Sequence, residues 1–344
     1  MDLRDKRFLF ASEALHTAGG RVCMQGLPNA LKKKGYDVTI NDWSDYTKYD
    51  FVFFMGPDSQ VLKAKQQNPR AKVGIMDPKI GNASGLGSVR AADFLLVSSI
   101  EQREFFLQYN PNIVIYYMFP ETPELHRTHT KKEKIVLGYH GNKLHLHNFE
   151  PSITQALINL SKRHEIELIA VYNVEKLKRW KTELERHITV RHVQWSEEGV
   201  VEALKECDIG LVPNLVHQTR STSSWLSRLR HALRPCVYAC RTHDYVHRYK
   251  YSTNPGRLYV FSQLGIPILS DFTPSSAHFL QDGLNGGVVN GTKGWERGIE
   301  TLIQSPELRQ TYADNLRNYI SSHYSIEANA DTLLTFLTRL SSTL

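Results

Sequence analysis

Between residues 250 and 271 the chain reads KYSTNPGRLYVFSQLGIPILSD. Ser252, Thr253 and Asn254, with Lys250 just before them, precede a helix expected over Pro255–Leu264, which has proline in its first turn. Hydroxyls, backbone N–H groups and the positive end of a helix dipole converge there, as a phosphate site requires. Arg257 lies in the first turn, where its charge opposes the dipole and a bound anion would compensate it. The plainer alternative is an ordinary Ser/Thr/Asn cap beside a surface arginine. A second place for a diphosphate is the glycine turn GYHGNK at 138–143, which supplies His140, Gly141, Asn142 and Lys143. His145 and His147 follow it, but no acidic ligand shares their pattern, so no metal site is expected. A third is ASEALHTAGGRV, read as a long loop whose Gly19 and Gly20 let the backbone approach a ligand or merely turn the chain. The Gly-x-Gly-x-x-Gly fingerprint is absent, which argues against a nicotinamide or flavin dinucleotide.

Turns of this kind work when a parallel sheet presents them at the carboxyl ends of its strands. Short apolar runs alternate with segments of helical period, the pattern of βαβ units, and they do so twice. The first series of strands is expected at 7–10, 37–40, 50–55, 72–76, 94–98 and 113–117, with a helix over 21–34 that three lysines and Gly35 terminate. FPETPELHRTHTKKEK at 119–134 breaks the rhythm with two prolines and a charge run, and reads as a linker. A second series is expected at 135–141, 166–172, 190–193, 209–212, 266–270 and 287–289, with helices over 152–163, 196–206, 292–303, 306–322 and 326–340. The fold class is therefore α/β with two doubly wound domains, 1–120 and 135–322, joined by 121–134. Residues 323–344 form a last helix that can pack back on the first domain.

The 344 residues carry a net charge of +7, and 41% of them are apolar. That length suits about two domains at ~100–200 residues each, and the composition excludes disorder and disulfide-stapled scaffolds. Four cysteines without a Cys-x-x-Cys pair, no signal-peptide core and no apolar run of membrane length point to a reducing cytosol. The charge is concentrated. Residues 214–250 hold seven Lys/Arg against the single acid Asp244, a net +6, in an insertion long for a strand-to-helix connection. Trp225, Leu226, Leu229 and Leu233 recur there at helical spacing. Arg228, Arg230 and Arg234 would face an acidic acceptor or a membrane surface, or form a solvated basic face.

The series GYHGN, DIGLVP, N-x-x-R-L-x-x-F-x-x-x-G-I-P-I-L-S-D and FLQDGLNGGVV resembles the nucleotide-sugar-binding half of GT-B glycosyltransferases, nearest the family-4 type. The resemblance covers about 135–340, and the first domain only through GG…LPNALKKKGYDVTI. It implies a sugar moved from a nucleoside-diphosphate donor to a glycan, lipid-linked or cell-surface acceptor, without metal or other cofactor. The donor diphosphate would fall to His140, Gly141, Asn142, Lys143, Lys250, Ser252, Thr253, Asn254 and Arg257, and the donor sugar would lie near Gly19 and Gly20. The Glu-x7-Glu pair typical of family 4 falls here on Ser252 and Val260. An inverting reaction also needs a base for the acceptor hydroxyl. Glu13, His16, Asp58 and Asp77 stand at strand exits of the first domain for that role, where Asp also serves as a turn residue. Retention needs none. The location implied is cytoplasmic, peripheral on the inner membrane face if the insertion binds lipid. Other readings are a GT-B sugar-nucleotide epimerase, a non-catalytic glycan- or nucleotide-binding GT-B protein, and a nucleic-acid binder using Tyr238, Tyr245, Tyr249 and Tyr251 of the basic segment.

Overall fold

The structure is a computed structural model that describes residues 3–13, 18–55, 60–80, 83–217, 247–249 and 254–342. Its first sheet holds six parallel strands: β1 (Arg7–Ala11), β2 (Asp37–Ile40), β3 (Phe51–Met55), β4 (Lys72–Met76), β5 (Phe94–Val97) and β6 (Ile113–Ile115). Their order is β2-β1-β3-β4-β5-β6. The crossovers carry α1 (Ala18–Lys33), α2 (Gln60–Gln67), α3 (Ala83–Ala91) and α4 (Ile100–Phe106). Runs such as FVFFM and FLLV form central strands because apolar side chains on both faces find cover. Phe10 stacks on Phe53 at 4.4 Å and Phe8 on Phe51 at 5.1 Å. Gly74 makes room for the Phe94 ring, which a Cβ would meet at 2.2 Å.

α1 ends as expected, with Lys32 and Lys33 in its last turn and Gly35 at φ +86°. Its start corrects the sequence reading. The helix begins at Ala18 rather than Arg21, so Gly19 and Gly20 lie in its first turn, not in a loop. N-terminal helical positions leave N–H groups unpaired within the helix, and glycine is tolerated there.

The second sheet is also six-stranded and parallel, in the order β14-β13-β10-β7-β8-β9. Its members are β7 (Lys134–His140), β8 (Glu165–Tyr172), β9 (Thr189–Gln194), β10 (Ile209–Val212), β13 (Ile268–Ser270) and β14 (Gly287–Val288). Between and after them run α5 (Ser152–Ser161), α6 (Val174–Leu177), α7 (Glu197–Leu204), α8 (Gly256–Gln263), α9 (Pro274–Phe279), α10 (Gly291–Gln304), α11 (Pro306–His323) and α12 (Ile326–Ser342). Ser196 caps α7 by accepting from the Gly199 N–H at 3.0 Å. The basic segment is closed at its base by an antiparallel pair, β11 (Leu215–His217) with β12 (His247–Tyr249). Residues 218–246, with the expected amphipathic helix, lie outside the described residues.

Residues 119–134 run as a strap along the second sheet's helices. Leu125 N–H donates to Gln263 O at 2.8 Å, and the Leu125 carbonyl accepts from Arg317 at 2.7 Å. The buried Arg309 guanidinium donates to Thr130 O at 2.6 Å. Two chain crossings join the halves. At the first, Phe119 stacks on Tyr259 at 4.2 Å. At the second, α12 returns, burying Ala330, Leu333 and Leu337 in the same cluster as Phe8, Phe10 and Leu27. A third link is polar: the buried Glu101 carboxylate on α4 accepts from the Ser275 N–H at 2.9 Å and from its hydroxyl at 2.6 Å on α9. Among the described residues no helix is long and apolar enough to cross a membrane.

Candidate functional site

Three neighbouring strands of the second sheet, β7, β10 and β13, end side by side, and the residues beyond them meet at Arg257. The glycine turn after β7 places Gly141 at φ +136°, where a Cβ would stand 3.3 Å from Arg257 Cδ. The turn and the start of α8 therefore pack as one unit. After β10, the Pro213 carbonyl accepts from Arg257 Nη2 at 3.0 Å, and Asn214 Oδ1 accepts from the same nitrogen. The guanidinium also lies 5.8 Å from the Tyr139 ring centroid. Its Nη1 is buried and has no partner. Burial lowers the Arg257 pKa, yet arginine keeps its proton in proteins.

After β13, Asp271 fixes this arrangement from behind. Its buried carboxylate accepts from the Asn214 N–H at 2.8 Å to each oxygen and from the Leu215 N–H at 2.8 Å. Burial pushes its pKa up to about 6, against the pull of those two N–H groups and of Arg257. Asn214 Nδ2 continues the network to Ser276 Oγ at 3.1 Å, and Ser276 Oγ lies 2.8 Å from Ser270 Oγ. One connected polar set thus runs from the anchoring carboxylate to a cation with a free donor.

His140, read as a diphosphate ligand, is buried at the end of β7, edge-on to Phe261 with ring centroids 5.1 Å apart. Burial first, and the Arg257 charge second, push its pKa down to about 3, so it is a neutral imidazole whose Nε2 has no partner. Asn142 is exposed, and its carbonyl accepts from the Tyr139 hydroxyl at 2.7 Å. Lys143 opens a 3-10 segment to Phe149, and its side chain lies outside the description. Asn254 Oδ1 accepts from the Gly256 N–H at 3.0 Å, an Asx turn at the entry to α8. Lys250, Ser252 and Thr253 lie outside the described residues, as do Arg228, Arg230 and Arg234.

In the first sheet, Glu13 is exposed two residues past β1. Asp77 follows β4 with φ +46°, accepts from Gln102 Nε2 at 3.1 Å and pairs with Lys79 at 3.1 Å. Gln102 neighbours Glu101, so Asp77 stands two residues of α4 away from the bond to Ser275. His16 and Asp58 lie outside the described residues. Among the described residues no group of three or more His, Cys, Asp or Glu could hold a metal ion. The sequence reading missed Asn214, Asp271, Glu101 and Ser275. Asn214 and Asp271 were signalled, because Asp271 directly follows a strand in IPILSD and Asn214 stands one proline past another in IGLVPN.

No family model matches the chain, and no curated protein does. Solved structures do. Sucrose-phosphate synthase from Thermosynechococcus elongatus superposes with a TM-score of 0.64 at 11% identity, covering 98% of this chain and 100% of that one. Anabaena HepE, crystallised with UDP and glucose, gives 0.62 at 11% identity, over 97% of this chain and 100% of that one. TarM gives 0.54 at 12% identity over 83% of this chain, which spans about half of TarM, 54% of its length. Two parallel six-stranded sheets, bridged where their strand ends meet and tied by a returning C-terminal helix, together with these superpositions give the chain the GT-B glycosyltransferase fold.

Proposed function

We propose that the chain is a glycosyltransferase that moves a sugar from a nucleoside-diphosphate donor to a hydroxyl acceptor on a glycan, a lipid-linked or a cell-surface saccharide. The observation that carries this reading is the Arg257 guanidinium, held on one side by Pro213 and Asn214 and with a buried, unpartnered donor at the carboxyl end of a parallel sheet. When the bond between the sugar and the diphosphate breaks, negative charge develops on the leaving phosphate. A fixed cation and the N-terminus of α8 stabilise that charge without a metal ion. In an inverting reaction Asp77, which follows β4 and is held by Gln102, is the candidate base for the acceptor hydroxyl. HepE, with UDP and glucose in its crystals, supports the choice of donor class.

Release of nucleoside diphosphate from UDP-, GDP- and ADP-sugars tests the reading. Turnover is expected with at least one donor and should fall at least tenfold in Arg257→Ala. Turnover unchanged in that variant refutes the assignment. In the same reading the basic segment faces an anionic acceptor or bilayer. Changing Arg228, Arg230 and Arg234 together to Gln should weaken binding to vesicles containing anionic lipid and leave UDP affinity unchanged; equal loss of both sends the charge to the donor site.

A further inference from the structure

Among the described residues, every phenylalanine and tryptophan side chain is buried or half-buried except Phe272, which is 61% exposed. An isolated exposed phenylalanine on a surface loop is unremarkable; this one is held differently. It follows Asp271, whose carboxylate is fixed by two N–H groups of the loop after β10, and precedes Thr273, whose buried hydroxyl caps α9. Two residues further on, Ser275 is bonded to Glu101 of the first domain. The backbone is thus fixed on both sides of a ring left in water, at the carboxyl end of β13, beside the strand whose loop holds Arg257 and next to the contact between the domains.

We propose that Phe272 is a stacking platform for a pyranose ring at the carboxyl end of β13. This rests on the reading of the neighbouring site as one for a nucleotide sugar. The negative face of a phenyl ring suits the weakly positive C–H face of a hexopyranose, and the contact removes apolar surface of both from water. The ring needs no rearrangement to receive it, because its flanks are already ordered. The sugar comes either from the donor or from the acceptor, and the two sources are separable.

The experiment compares wild type with Phe272→Ala and Phe272→Tyr, which fold alike because the side chain is exposed. Calorimetry with UDP and UDP-glucose reads the donor. Saturation-transfer NMR with methyl glucoside, methyl galactoside and methyl N-acetylglucosaminide, with and without UDP, reads a free saccharide. Phe272→Ala should bind UDP within twofold of wild type and lose about 3- to 10-fold on one sugar-bearing probe, while Phe272→Tyr retains it. Loss with UDP-glucose assigns the donor ring, and loss with a methyl glycoside the acceptor ring. Equal loss on UDP itself, or no loss on any probe that wild type binds, overturns the platform and leaves the transferase reading standing. Saccharide binding that depends on Phe272, in a protein that binds no nucleotide, does the reverse. A wild type that binds none of these probes, nor GDP, ADP or their glucose esters, overturns both.

Discussion

Glu101 accepts two hydrogen bonds from one residue of the opposite domain, the N–H and the hydroxyl of Ser275, at 2.9 and 2.6 Å. Both partners are buried, so the pair acts as a joint between the halves of the fold. Glu101→Gln should cost about 1–3 kcal/mol, since a charge-assisted pair becomes a neutral one and an N–H loses its ionised acceptor. The check is urea unfolding together with small-angle scattering. A lower midpoint and a larger radius of gyration are expected, and an unchanged radius would mean that the aromatic and helical crossings alone hold the domains.

The Asp271 carboxyl binds its proton more tightly when folded, with a pKa near 6 against 3.8 ordinarily. Between about pH 4 and pH 6 the folded state therefore retains a proton that the unfolded chain has released. This group's contribution is favourable below that window, and stability falls as pH rises through it, then levels above. A tenfold difference in proton affinity is worth ~1.4 kcal/mol, which limits the effect to roughly 3 kcal/mol. Urea midpoints for wild type and Asp271→Asn from pH 4 to 7 should diverge in slope over this window only. Parallel profiles would place the proton elsewhere.

Gly74→Ala tests the first core. Its new Cβ would meet the Phe94 ring at 2.2 Å, between two strands that cannot separate, so overpacking of about 1–3 kcal/mol is expected. The site is remote from Arg257, so UDP affinity measured on the folded fraction should not change.

The strands were legible because each buried run is short, apolar and bounded by turn residues, as FVFFM and IGLV show. Helix ends such as Ser196 and Gly35 were legible from local chemistry. What stayed hidden depends on distance along the chain. Asn214 and Asp271 are 57 residues apart, Glu101 and Ser275 are 174 apart, and no local pattern pairs them. The start of α1 was misplaced because Gly19–Gly20 reads as a turn by composition, whereas the first turn of a helix tolerates glycine. His140 was offered as a diphosphate ligand from its place in the glycine turn GYHGNK, and what the turn did not show is that its ring lies buried against Phe261.

The central claim is that Arg257, braced by Asn214 and Asp271, holds the phosphates of a nucleotide donor. Calorimetric titration of UDP, GDP and ADP into wild type and Arg257→Gln at pH 7.5 tests it most directly. Wild type should bind at least one of the three, and Arg257→Gln should bind it at least tenfold more weakly, with heat of binding less favourable and the urea midpoint within the range of wild type. Equal affinity in the two proteins, or no binding of any nucleotide by wild type, would contradict it.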